Sequence, residues 1–238
     1  MEVTNLAVPA HTRRPRRYNP SLIIVHATRG HTHLDLQDES AINWFQNSPD
    51  RGGWGSTADA LVSSSGQLYT FGDIHNKHSA WSAGYGARGP LFEYGADELG
   101  FSVEFPQPNG SVEFTDESLL AGAWLCRQLT DQYDIPIVKI SNWSQRRDSA
   151  VPEGFLGHED TANGVRSGKT DPGSLFPWPR FLQMVRDAEV PPLSSAQHAK
   201  LYTALHLGRY PGVHVKWGRL YRREDGWYSR EVLTKGID

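Results

Sequence analysis

Three segments of the sequence carry side chains that could hold a hydrolytic metal ion. In one-letter code they are IVHAT at 24–28, GHED at 157–160 and GKTDPG at 168–173. A catalytic zinc ion usually has three protein ligands and a fourth position for water, and neutral imidazole and carboxylate groups suit it. His26, His158 and Asp171 would supply such a set. Each of the ten histidines, taken alone, is more often a core or surface side chain than a ligand.

The cysteine content limits the kinds of metal site that this chain can build. Cys126 is the one cysteine of the 238 residues. One thiol forms neither an internal disulfide nor, by itself, a cysteine-based metal site, so a bound metal must be held by histidines and carboxylates. Cys126 also falls within a predicted helix, where a small core residue is the better interpretation than a reactive thiol.

The strands that would position these side chains follow from the hydrophobic pattern. Residues 22–25 (LIIV) are apolar on both faces and predict a buried central strand that ends on His26. Residues 101–105 (FSVEF) alternate between apolar and polar and predict a second strand. Residues 60–62 and 67–71, separated by the SSSG sequence, predict a hairpin.

Helices are predicted between these strands. Residues 39–46 are amphipathic, Thr115 is a good N-cap for a helix with apolar residues three and four positions apart, and residues 178–188 predict a further helix. The glycine-punctuated stretch from His158 to Asp171 predicts a loop that folds back to the strand end at His26. Together these elements predict an α/β fold with a mixed central β-sheet flanked by α-helices.

The dipeptide Pro191-Pro192 marks the predicted domain boundary. It divides the chain into a lead-in at 1–20, a catalytic domain at 21–189 and a small segment at 190–238. Within this last segment we predict a helix at 196–207 and a β-hairpin at 213–233. The segment has eight Lys and Arg against four Asp and Glu, so it either binds anionic cell-wall polymers or simply packs as an added hairpin.

Composition excludes several classes of protein. A formal net charge of −3 argues against a general nucleic-acid binder, which needs a cationic excess. The sequence has no apolar run of the roughly 20 residues that a membrane span requires. Residues 1–17 lack the basic start and apolar run of a secretory signal. We therefore expect a soluble monomer, made in the cytoplasm without a signal peptide or present as a mature form.

Longer stretches of the sequence resemble a known family. In order along the chain they are IIVHATRG, GSTADALVSSSGQLYTFGD, SAWSAG, LGFSVEFPQP and LGHEDTANGVRSGKTDPGSLFPW. They are similar to the type-2 N-acetylmuramoyl-L-alanine amidases, a group that includes phage lysin amidases and peptidoglycan-recognition proteins. The resemblance covers residues 21–186. Its last block, Gly-His followed by Lys-x-Asp-Pro-Gly, is the most specific.

The resemblance implies a function and a role for each matching residue. It makes His26, His158 and Asp171 the ligands of Zn²⁺, and it makes Lys169 the lysine that faces the substrate carbonyl. Glu104 matches the carboxylate that assists the reaction beside the metal. The implied reaction is hydrolysis of the amide between N-acetylmuramic acid and L-alanine in peptidoglycan, with glycan strand and stem peptide as the substrate.

The sequence departs from the family pattern at some neighbouring positions. Ala58, Asp59 and Ala60 replace the His-Tyr pair of many relatives, Ser82 replaces the histidine of a Trp-His-Ala-Gly motif, and Ala27 replaces a second histidine. The proposed ligands are unaffected, and the expected role is that of a phage-type endolysin with antimicrobial action on the cell wall. Two alternatives stay open, a cytoplasmic amidase for anhydro-muropeptides and a non-catalytic peptidoglycan-binding module.

Overall fold

The computed structural model describes residues 3–16, 18–29, 33–50, 55–71, 78–80, 82–83, 95–141 and 152–188. All of them belong to the first of two units into which the chain divides, Met1–Glu189 and Val190–Asp238. The helix predicted at 196–207, the hairpin predicted at 213–233 and the rest of the basic segment lie outside the described residues.

A six-stranded mixed sheet forms the centre of the first unit. The strands are β1 (Val3–Leu6), β2 (Arg13–Pro15), β3 (Leu22–Thr28), β4 (Ala60–Val62), β5 (Leu68–Phe71), β6 (His78–Ala80), β7 (Gly100–Pro106) and β8 (Gly154–Gly157). Their order in the large sheet is β1-β5-β4-β7-β3-β8, and the β4-β5 hairpin is its antiparallel pair. Strands β2 and β6 form a separate antiparallel pair. The predicted α/β class with a mixed sheet is confirmed.

Strand β3 is central because its side chains are apolar on both faces. Leu22, Ile23, Ile24 and Val25 have no exposed surface, and the strand pairs in parallel with β7 on one side and β8 on the other. Leu22 and Ile24 pack on one face in a cluster with Ala83, Ala96, Leu99 and Leu156. The predicted strand continues past His26 to Thr28.

Five helices complete the described part of the chain. They are α1 (Leu34–Gln46), α2 (Ala96–Leu99), α3 (Asp116–Tyr133), α4 (Ala162–Ser167) and α5 (Trp178–Asp187). Thr115 caps α3 as predicted, since its side chain accepts a hydrogen bond from Ser118 N. Helix α5 packs on the sheet through Phe181, whose ring lies 5.6 Å from Phe105 and 6.4 Å from Phe155. Among the described helices, none has the length and apolar character of a bilayer span.

The structure corrects two local predictions. Helix α1 begins at Leu34, five residues before the predicted start at 39. The segment from His158 to Asp171 is not a plain loop, because it contains a 3-10 turn at His158–Asp160 and helix α4.

The N-terminal lead-in is built into the fold. Strand β1 extends the large sheet by pairing with β5, and the Arg13 guanidinium is buried in an ion pair with Asp59 at 3.1 Å. Arg16 lies over the ring of Phe101 and donates to Gly100 O at 2.7 Å. Through these contacts the lead-in binds to residues at the start of β4 and β7.

Candidate metal centre

Strand register brings the two histidines together. On β3, His26 is paired side by side with Glu104 of β7, so both side chains project from the same face of the sheet. On the other side, Val25 pairs with Gly157, the last residue of β8. His158 follows directly and is therefore level with His26, and their ring centroids lie 4.5 Å apart.

The segment after His158 folds back to deliver the carboxylate. Helix α4 begins at the Thr161 cap and ends at Gly168, whose φ of 66° closes the helix in a left-handed conformation. Gly164 permits the tight return, since a Cβ there would lie 1.8 Å from His158 O. Glu159 N then donates to Asp171 O at 2.9 Å, which ties the two ends of the segment together.

The predicted ligand atoms converge on one point. Oδ2 of Asp171 lies 3.3 Å from Nδ1 of His26 and 3.3 Å from Nδ1 of His158, and the ligand atoms of the three residues all lie within 4.8 Å of one another. Two ligands at about 2.1 Å from a tetrahedral zinc ion would be about 3.4 Å apart. The separations from Asp171 to each imidazole therefore fit zinc.

The protonation states of these groups also suit a metal. Burial, followed by the nearby charge of His158, lowers the pKa of His26 to about 4, so its ring is neutral at pH 7. Burial raises the pKa of Asp171, but hydrogen bonds from His158 and His26 outweigh it and hold the pKa well below the ordinary value. A neutral imidazole and an ionised carboxylate are the forms that coordinate zinc.

Glu104 lies beside the three residues. Its Oε1 is 3.9 Å from Nδ1 of His26, and the residue is 9% exposed. Burial and then the charge of Asp171 raise the pKa of Glu104 well above its ordinary value, while the charge of Lys169 opposes this. A buried carboxyl group with a raised pKa is suited to accept and return a proton.

Lys169 is the exposed member of the predicted set. Its backbone N–H donates to Gly164 O at 2.9 Å, which fixes the residue at the end of α4. The positive charge of its side chain lowers the pKa values of both His26 and Glu104. The ammonium group thus acts electrostatically on the site while it stays open to solvent.

Two positions at which the sequence departs from the family pattern have structural partners. Asp59 accepts hydrogen bonds from Ser102 N at 2.9 Å and Ala80 N at 3.2 Å, in addition to its ion pair with Arg13. The Ser82 hydroxyl donates to Asp97 at 2.9 Å. Both side chains therefore form polar contacts within the fold, Asp59 beside the start of β4 and Ser82 with α2.

Other residues that hold the site in place were not predicted from the sequence. Lys139 forms an ion pair with Asp160, and Asp160 also accepts from Gly157 N at 3.0 Å, which fixes the turn that begins at His158. Arg29 contacts the segment around Asp171. Of these residues, Arg29 could have been chosen as a candidate from the sequence, because it lies three residues after the predicted ligand His26.

Comparison with known proteins identifies related sequences and folds. The sequence profile of the N-acetylmuramoyl-L-alanine amidase family matches residues 16–174, two thirds of the chain. No curated protein sequence matches this chain well enough to be a relative. Among solved structures, a selenomethionine derivative of AmpD is 19% identical with a TM-score of 0.54, and the alignment covers 77% of this chain and 94% of AmpD.

Two further solved structures are similar. The catalytic domain of XlyA is 17% identical with a TM-score of 0.51, and the alignment covers 78% of this chain and 99% of that domain. A mutant endolysin from Bacillus subtilis is 17% identical with a TM-score of 0.50, at 77% of this chain and 98% of the endolysin. At these identities the structures support the assignment of the fold.

Proposed function

Because this chain belongs to the N-acetylmuramoyl-L-alanine amidase family, we propose that it is a zinc-dependent enzyme that hydrolyses the amide between N-acetylmuramic acid and L-alanine in peptidoglycan. The observation that carries the proposal is the convergence of His26, His158 and Asp171 within 4.8 Å. Two imidazoles and one carboxylate are a usual protein ligand set for a hydrolytic zinc ion.

In this proposal His26, His158 and Asp171 would hold the metal. Zinc, when bound, supplies a Lewis acid that polarises a carbonyl and lowers the pKa of a coordinated water to about 7. His26 and His158 would offer imidazole nitrogen atoms, and Asp171 would offer a carboxylate oxygen. The parallel pairing of β3 with β7 and β8 keeps the imidazoles and the Glu104 carboxylate in fixed relative positions.

Glu104 and Lys169 would carry out the proton transfer and the charge stabilisation. Glu104 accepts a proton as the water oxygen adds to the lactyl carbonyl carbon, and it returns that proton to the alanine nitrogen as the C–N bond breaks. Lys169 stabilises the negative charge that develops on the carbonyl oxygen, an effect typically worth about 2.7–4 kcal/mol for one donor. The products are a lactyl carboxylate and a free alanine amine.

A binding module without catalysis is the first competing function. Such a module would need no complete set of metal ligands and no buried carboxyl group beside them. Here the three ligand atoms converge, and Glu104 lies 3.9 Å from His26 with a raised pKa. This combination favours an enzyme.

For the biological role we propose a phage-type endolysin that acts on the bacterial cell wall. The basic segment at 190–238 supports this role, because its cations would attract anionic wall polymers. The competing role is an amidase that acts on soluble anhydro-muropeptides in the cytoplasm. A comparison of turnover on insoluble peptidoglycan and on soluble muropeptides separates the two, since an endolysin should prefer the polymer.

Mass analysis of the products tests the proposed reaction. Purified peptidoglycan should release stem peptides that begin with a free L-alanine amine, and glycan fragments with a free lactyl carboxylate. A chelator should stop this release, and added zinc should restore it. His158→Ala should lose zinc and activity together. Full zinc content in His158→Ala, or cleavage at another bond, would refute the proposal.

A further inference from the structure

Arg29, the residue that follows β3, contacts both residues that flank the proposed ligand Asp171. We propose that Arg29 is a positioning residue, which holds the Asp171 segment against the ends of β3 and β7 and thereby sets the zinc affinity of the site. This inference rests on the proposed zinc-dependent function. It assigns no contact between Arg29 and the substrate.

One side of the Arg29 guanidinium binds the two residues that flank Asp171. Its Nη1 donates to Thr170 Oγ1 at 2.9 Å. Its Nη2 lies 3.4 Å from both Thr170 O and Pro172 O. The residues before and after Asp171 are therefore both bound to the Arg29 side chain, while the Asp171 carboxylate itself faces the histidines.

The guanidinium also binds a buried side chain, that of Gln107. Nε and Nη2 of Arg29 lie 3.3 Å and 3.2 Å from Gln107 Oε1. Gln107 has no exposed surface; its N–H donates to Thr28 O at 3.1 Å and its Nε2 donates to Val112 O at 2.8 Å. Because Gln107 directly follows β7, Arg29 joins the segments that carry His26, Glu104 and Asp171.

The geometry of these contacts requires a guanidinium group. Arginine presents five N–H donors in a flat, rigid fork, whereas lysine has a compact ammonium on a flexible stem. A lysine at position 29 keeps the charge but cannot span Gln107, Thr170 and Pro172 at once. Arg29 is exposed, so the loss of its contacts should loosen the Asp171 segment without opening the core.

The same contacts argue against substrate binding as the main role of Arg29. Nε and both terminal nitrogens already face protein acceptors, so a carboxylate of the stem peptide would compete with Gln107 and Thr170. Loss of a substrate contact would raise KM. Loss of a positioning contact should weaken zinc binding and lower kcat with little change in KM.

The test is the zinc affinity of Arg29→Lys, measured by chelator competition on the full chain alongside kcat and KM. We expect about tenfold weaker zinc binding, the lower end of the range for residues that orient metal ligands. Arg166→Lys is the matched control, because Arg166 is an exposed arginine on α4 that binds Asn163 within its own helix. The control should bind zinc as the wild type does.

A second variant keeps the test valid if Arg29→Lys folds poorly. Thr170→Val removes one acceptor of Arg29 and keeps the size of the side chain. It should weaken zinc binding about two- to tenfold, which corresponds to the net contribution of one hydrogen bond. In the Arg29→Lys background the same change should cost less, because the two residues act through one contact.

The outcomes separate this inference from the proposed function. If the wild type binds zinc and cleaves peptidoglycan while Arg29→Lys keeps its zinc affinity, Arg29 has no positioning role and only this inference fails. A raised KM with unchanged zinc affinity would likewise overturn it and assign Arg29 to the substrate. A wild type that binds no zinc would overturn both.

Discussion

The replacement of Glu104 by glutamine separates catalysis from metal binding. Glutamine has nearly the size of glutamate but cannot accept a proton at neutral pH. Glu104 is 9% exposed, and its Oε1 lies 3.9 Å from His26 Nδ1, next to the proposed ligands but outside their set. Zinc content should therefore stay at the wild-type level while turnover falls.

The expected loss follows from the role of a general base. A positioned proton acceptor typically contributes about 10²–10⁴-fold, so kcat should fall by about two to four orders of magnitude, or about 2.7–5.4 kcal/mol. Burial and the charge of Asp171 raise the pKa of Glu104, which means that the native site disfavours its ionised form. A neutral amide should accordingly be tolerated by the fold.

The assay measures kcat on a soluble muropeptide and zinc per chain in the same preparation. Glu113→Gln is the matched control, because Glu113 is exposed and lies outside both the sheet and the metal centre. Near-normal turnover in Glu104→Gln would show that another group accepts the proton. A loss of zinc in the same variant would show that Glu104 helps to bind the metal.

The remaining predictions concern stability and wall binding. Gly164→Ala should weaken zinc binding, because the new Cβ meets His158 O. For the same reason it should lower the free energy of unfolding in urea by about 1–3 kcal/mol relative to Ser167→Ala. A Gly164→Ala protein that is more stable than this control would mean that helix propensity prevails. Burial raises the pKa of Asp97 from 3.8 to about 6, so the folded protein binds this proton more tightly and loses about 2 kcal/mol of stability from Asp97 as pH rises from 4 to 7. The free energy of unfolding of Asp97→Asn should rise by that amount relative to the wild type over the same pH range. A difference that does not change with pH would contradict the raised pKa of Asp97. Deletion of 191–238 should reduce sedimentation with purified cell walls, and unchanged binding would remove the wall-binding role.

The central elements of the fold could be predicted because local signals and tertiary packing agree there. The apolar run at 22–25 gave the central strand, and the Thr115 cap gave the start of α3. The start of α1 was missed because its inward face includes Gln37, a buried polar residue that breaks the apolar periodicity.

Other elements depend on partners far away in the sequence. Strand β8 has glycine at both ends and is stabilised by its pairing with β3, which no local pattern indicates. Helix α4 has six residues, too few for a periodic signal, although Thr161 and Gly168 are recognisable caps.

The candidate site was predictable from the family resemblance more than from residue spacing. His26 and Asp171 are 145 positions apart, and only the register of β3 with β8 and the return of the α4 segment explain their proximity. The Arg29 contacts were not predictable, since they require the positions of Gln107 and Thr170 at the ends of two other segments.

The most direct test of the proposed metal centre is a crystal structure of the protein loaded with one equivalent of zinc, with anomalous data at the zinc edge. A zinc ion held by the proposed ligands should give one strong peak at about 2.0–2.2 Å from Nδ1 of His26, Nδ1 of His158 and Oδ2 of Asp171. A peak elsewhere, or none at these residues in a preparation that cleaves peptidoglycan, would contradict it.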